Sequence, residues 1–72
     1  MGGKSIDQYM VEDREYEDET TRAAEEFTRR REAAQTDEER ERIRREAVAY
    51  FQGAALARYD RAKVKADQEA GR

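Results

Sequence analysis

Between Ala47 and Ala57 the chain reads Ala-Val-Ala-Tyr-Phe-Gln-Gly-Ala-Ala-Leu-Ala, a run in which Gln52 is the single polar side chain. At about 100° per residue, Val48, Tyr50, Phe51, Ala54, Ala55 and Ala57 spread over roughly half the helix circumference. Leu56, Ala49 and Gly53 occupy the remainder. One neighbouring helix covers only a stripe, so a helix apolar nearly all round calls for more than one neighbour. The rest of the chain supplies one. The sequence therefore points to association with something further, and no motif in it names a biochemical activity.

The composition narrows what that association can rest on. Seventy-two residues make one domain, 1–72, with a core near the lower limit for independent stability. Charged residues make up 46% and hydrophobic ones 36%, a balance found in disordered chains and in extended helical assemblies. Proline is absent and Ala, Glu and Arg abound, which selects the helical assembly and an all-α fold. Cysteine and histidine are both absent, removing disulfides, thiolate metal sites and the commonest general base. No loop spaces carboxylates as a calcium or magnesium cage requires, so neither metal nor cofactor is expected. Acid–base catalysis needs two carboxylates in unlike environments, and acids on a solvated helix face offer none, so no enzyme is expected.

No signal peptide or membrane span is readable, and a cytoplasmic location is the expectation. The opening Met1-Gly2-Gly3-Lys4-Ser5 falls short of two motifs. Ile6 holds the place where a myristoylation site has Ser or Thr, and the glycine and strand that precede a phosphate-binding loop are missing. Residues 1–4 read as a flexible N-terminus and 70–72 as a tail.

Ser5 followed by Gln8 forms a capping box that opens a first helix, expected over 5–34. Along it Tyr9, Tyr16, Ala23, Phe27 and Ala34 recur at spacings of seven, seven, four and seven. They lie within about 20° of one line, a narrow seam suited to a single groove. A break near Val11–Asp13, setting off a short turn with Ile6, Tyr9 and Met10, is the alternative. The second stripe, Ile43, Ala47, Tyr50, Ala54, Ala57 and Val64, places a second helix over 37–69, with Arg61 at the intervening heptad position.

Continuing the first stripe past Ala34 lands on the charged Asp37, Glu41 and Arg44, so the apolar phase breaks there. Thr36-Asp37-Glu38-Glu39 sits at the break, with a Thr N-cap, acids in the first turn and Glu39 at the capping-box position. Phase, cap and charge agree on an antiparallel two-helix hairpin turning at 35–37, dimerising into a four-helix bundle. One continuous helix is the competing form, since no glycine closes the first helix. A hairpin folded about Gln35 brings residue i near 71 − i, with the acids of 12–19 close to Arg58 and Arg61 and Tyr16 near Gly53–Ala55.

The residues expected to meet a partner or a second copy are Tyr50, Phe51, Gly53, Ala54, Ala57, Arg58 and Tyr59. Gly53 disfavours a helix interior by about 0.8–1 kcal/mol relative to Ala, which close approach of another helix, or of Tyr16, would offset. Tyr59 beside Arg58 pairs residue types enriched at binding hot spots. Arg30, Arg42 and Arg45 are the candidate nucleic-acid contacts, although eight acids within 25–46 nearly cancel the arginines there. The expected function is non-catalytic: a small helical regulator or inhibitor, of a size suited to a phage or mobile element, acting on a larger protein or complex. The alternatives are a dimeric helical hairpin that binds RNA, similar in plan to plasmid-borne ones, and a structural subunit of a larger helical assembly.

Overall fold

The computed structural model describes residues 3–71. The expectations for Met1, Gly2 and Arg72 lie outside the described residues. Those described form an all-α fold of three helices: α1 (Ile6–Val11), α2 (Arg14–Ala33) and α3 (Asp37–Ala70).

The first helix expected over 5–34 is two helices. α1 opens on the Ser5 capping box, with the Gln8 amide donating to Ser5 Oγ and the Ser5 amide to Gln8 Oε1. It stops after Val11 because Asp13, a residue type that favours a cap over a helix interior, takes φ −76° and ψ 90°. The Asp13 carboxylate then accepts the Tyr16 amide at 3.0 Å and starts α2 afresh. At the other end Ala34 is extended, Thr36 Oγ1 accepts the Glu39 amide at 3.1 Å, and the Glu39 carboxylate accepts the Gln35 amide at 3.0 Å. Local side-chain groups thus satisfy amides that the helix starts leave unpaired.

Both α1 and α2 pack on α3. The contacting pairs Arg30–Glu46, Phe27–Tyr50, Tyr16–Arg58, Asp13–Arg61 and Tyr9–Glu69 follow opposite sequence order on the two sides. Their numbers add to between 74 and 78, so the register differs from the expected 71 − i by about one to two helical turns. Tyr16 consequently meets Arg58 and not Gly53–Ala55.

The stripe on α3 also differs from the heptad reading. Ile43 and Ala62 are buried and Ala47, Tyr50, Phe51, Ala54, Ala55, Arg58, Arg61 and Ala66 half-buried, whereas Ala57 and Val64 are exposed. A straight helix drifts about 20° per heptad away from a 3.5-residue repeat, so by Val64 a heptad stripe has rotated out of contact. Arg58, Ala62 and Ala66 take its place. The molecule is correspondingly long and thin, 56 × 16 × 12 Å.

Candidate interaction surface

The inner side of α3 is occupied by its own chain. Phe27 of α2 meets Tyr50 and Phe51 at ring-centroid distances of 6.0 and 6.1 Å, and those two rings meet each other edge to face at 5.2 Å. Arg30 reaches over Phe27, its guanidinium 5.5 Å from the ring centre, and pairs with Glu46 at 2.6 Å. Further along, the Arg58 guanidinium lies 4.1 Å from the centre of the Tyr16 ring, a close cation–π contact, while Arg58 Nε is buried without a hydrogen-bond partner. Arg61 then holds Asp13.

At the far end Tyr9 donates its hydroxyl to Glu69, which also accepts the Lys4 amide at 3.1 Å. The hydrogen bond to Glu69, followed by desolvation and the carboxylate's charge, pushes the Tyr9 phenol up to about 12. Lys4 and Lys65 place their ammonium groups 5.8 Å from the same ring.

The seven residues expected to meet a partner therefore divide between two faces. Tyr50, Phe51, Ala54 and Arg58 line the contact with α2. Gly53, Ala57 and Tyr59 are exposed on the outer side. A Cβ added at Gly53 would meet nothing within 4 Å, so Tyr16 does not cover it. Sequence reasoning also missed the most exposed of the large apolar side chains on this face: Leu56 is 65% exposed, beside Val48 at 44% and Tyr59 at 43%. The signal was present in the helical wheel, where 48, 52, 56 and 59 run along one side. No charged residue interrupts α3 between Glu46 and Arg58.

Arg30, Arg42 and Arg45 do not form a basic face. Arg30 and Arg42 line a shallow groove at the turn with Ala33, Ala34, Glu39 and Ile43. Arg42 and Arg45 line another with Asp37, Glu38 and Glu41. Acids stand between the arginines in both, and Arg45 lies 3.5 Å from Glu41. Hydrogen bonds from Arg44 to Glu41, and from Arg29 to Glu26, hold both carboxyls below the usual range. Among the described residues no three acidic side chains converge as a metal site would require, and no helix is long and apolar enough to cross a membrane. Compared with protein-family models, with curated proteins and with solved structures, the chain matches none.

Proposed function

We propose that this chain is a non-catalytic protein–protein interaction module, a small helical regulator or inhibitor that takes up a helix of another polypeptide on the outer face of α3. In this reading α1 and α2 fold back on α3 as an antiparallel hairpin, and the partner completes a helical bundle. The observation that carries it is the exposure of Val48 and Leu56 within the uncharged run 47–57 of α3, with Tyr59 just beyond it on the same side. Isolated exposed apolar residues are ordinary on a protein surface, but apolar side chains gathered along one side of a helix, here with Gln52 alone between Val48 and Leu56, suit an interface.

Two quantities support the same reading. Among the described residues only Ile43 and Ala62 are buried, a small core for a folded domain. The accessible surface is 5905 Å², against about 4,600 Å² for a typical folded monomer of this mass. The surplus of about 1,300 Å² exceeds the ~800 Å² that each partner contributes to a standard interface. Nucleic-acid binding has no comparable support, because acids are interleaved with the arginines, Glu46 beside Arg30 and Glu41 beside Arg45, and would repel phosphate.

A photo-activated crosslinker in place of Leu56, compared with one in place of Thr21 on the exposed side of α2, tests the proposal in the cells that make the protein. Capture of a protein from position 56 and not from position 21, abolished by Val48→Asp, is expected. Equal capture from both positions, or none from either, would overturn it.

A further inference from the structure

The outer face of α3 carries a row of side chains whose chemistry is complementary across Gln52. At about 100° per residue, Glu41, Arg45, Val48, Gln52, Leu56, Tyr59 and Lys63 lie within about 40° of one line along the helix. Their spacings are four, three, four, four, three and four, those of any row along one side of a helix. Glu41 is half-buried and the other six are exposed.

Turning a second copy end for end about an axis through Gln52 sets 48 against 56, 45 against 59 and 41 against 63. Each pairing is chemically favourable. Val48 meets Leu56, apolar on apolar. The Arg45 guanidinium, 77% exposed, meets the Tyr59 ring, with Asp60 one residue further on. Glu41, already paired with Arg44 at 2.6 Å and 3.5 Å from Arg45, gains in Lys63 a further cation, one with no ion pair among the described residues. Gln52, the polar interruption of the apolar run, meets itself, and an amide carries both a donor and an acceptor. One position further out on each side the axis sets Asp37 against Asp67, a like-charged pair that the Arg40 guanidinium, 2.6 Å from Asp37, partly offsets.

Resting on the interaction reading above, we infer that the occupant of this face is a second copy of the chain, bound antiparallel across a two-fold axis at Gln52. A closed pair of this kind is isologous: every contact occurs twice and a single self-complementary patch suffices. The row from Glu41 to Lys63 is about 33 Å long. Its length and the surplus surface per chain both suit an interface of standard size.

Cysteine is absent from the chain, so single-cysteine variants report the axis directly. Across this axis residue 52 is the position that faces its own copy, close enough for a disulfide, whereas the two copies of residue 48 stand about 12 Å apart along the helices. Sedimentation equilibrium from micromolar concentrations upward is expected to give the mass of two chains. Mild oxidation is expected to crosslink Gln52→Cys and neither Val48→Cys nor Leu56→Cys alone, while a mixture of those last two crosslinks.

Glu41→Lys and Lys63→Glu are each expected to weaken self-association about tenfold, and mixing the two to restore it as a heterodimer. Circular dichroism checks that each variant keeps its helix content. A dimer that crosslinks equally from Val48→Cys, or not at all from Gln52→Cys, overturns the axis. A monomer throughout the concentration range overturns the second copy as occupant. Photo-capture of a different chain from position 56 would in that case uphold the broader interaction reading by itself.

Discussion

Arg61 Nη2 lies 2.8 Å from Asp13 Oδ2, joining residues 48 positions apart in the chain. The same carboxylate accepts the Tyr16 amide through Oδ1, so one side chain both starts α2 and fastens the α1–α2 break to α3. The Asp13 side chain is 8% exposed and that of Arg61 33%. Burial opposes the charge of this sheltered carboxylate, and the Tyr16 amide and the Arg61 guanidinium outweigh it, leaving the acid below its ordinary pKa.

Replacing Asp13 by Ala removes the cap and leaves Arg61 facing a vacated site. The expected loss is about 2 kcal/mol, read from chemical denaturation, with Asp13→Asn losing less because an amide oxygen still caps. The pH dependence follows from the depressed pKa. The contribution is present above about pH 4, where an unfolded aspartate is ionised, and is lost as pH falls through the lower folded value. Asp13→Asn should therefore flatten the acid limb of the stability curve. The Glu26–Arg29 and Glu41–Arg44 pairs act on the same limb but are solvent-exposed, so added salt removes their share and leaves that of Asp13 largely intact.

Tyr9 carries the opposite sign. Its folded pKa, about 12, lies above the ordinary phenol value because the hydroxyl donates to Glu69. The stability it contributes is complete below about pH 10 and disappears as pH rises through the folded value. Tyr9 is expected to ionise late in an ultraviolet titration. Glu69→Ala should bring that ionisation to lower pH, and α1 should lose its hold on the end of α3 without loss of helix in α2.

Arg58 makes a stacking contact with Tyr16 while its Nε is buried without a partner. The first favours folding and the second opposes it. Arg58→Leu keeps apolar packing against the ring and removes the unpaired donor, so it should change stability by less than about 1 kcal/mol. Arg58→Ala loses the packing as well and should cost about 1–2 kcal/mol. Equal losses from both substitutions would show that the charge, and not the side-chain bulk, matters at this position.

What the sequence revealed was decided by the range of the interaction. The caps at Ser5 and Thr36 were legible because donor and acceptor lie three residues apart. The seam Tyr9, Tyr16, Ala23, Phe27 and Ala34 was legible as a periodicity, and all five residues are half-buried. Asp13 broke the first helix despite that unbroken spacing, since its cap geometry is reinforced by Arg61, a partner 48 residues away. The stripe on α3 was misread at Ala57 and Val64 because a heptad template was laid on a helix that does not supercoil enough to follow it. On a helix apolar all round, no periodicity separates the side that Phe27 covers from the side that shows Leu56. Packing makes that distinction, and it sorted the expected partner residues into an inner and an outer group.

Gly53 and Phe27 provide the sharpest test of that sorting. Phe27 joins α2 to two aromatic rings of α3, and Phe27→Ala should cost about 2–3 kcal/mol, at or just below the usual range for a large core aromatic because the site is only half-buried. Gly53 is inside a helix, its φ is not positive, and an added Cβ meets nothing within 4 Å. Nothing in the monomer requires glycine there, so Gly53→Ala should stabilise the helix by about 0.5–1 kcal/mol. Both values are read from urea unfolding at a fixed protein concentration below the onset of self-association. Gly53 also lies about 100° round the helix from Gln52, beside the proposed two-fold contact and not at its centre. Gly53→Ala should consequently leave the dimer mass unchanged at higher concentration, whereas Gly53→Trp, bulky enough to reach across, should weaken it. A destabilised monomer from Gly53→Ala would mean that this side of α3 is covered by its own chain, and the division into inner and outer faces would fail with it.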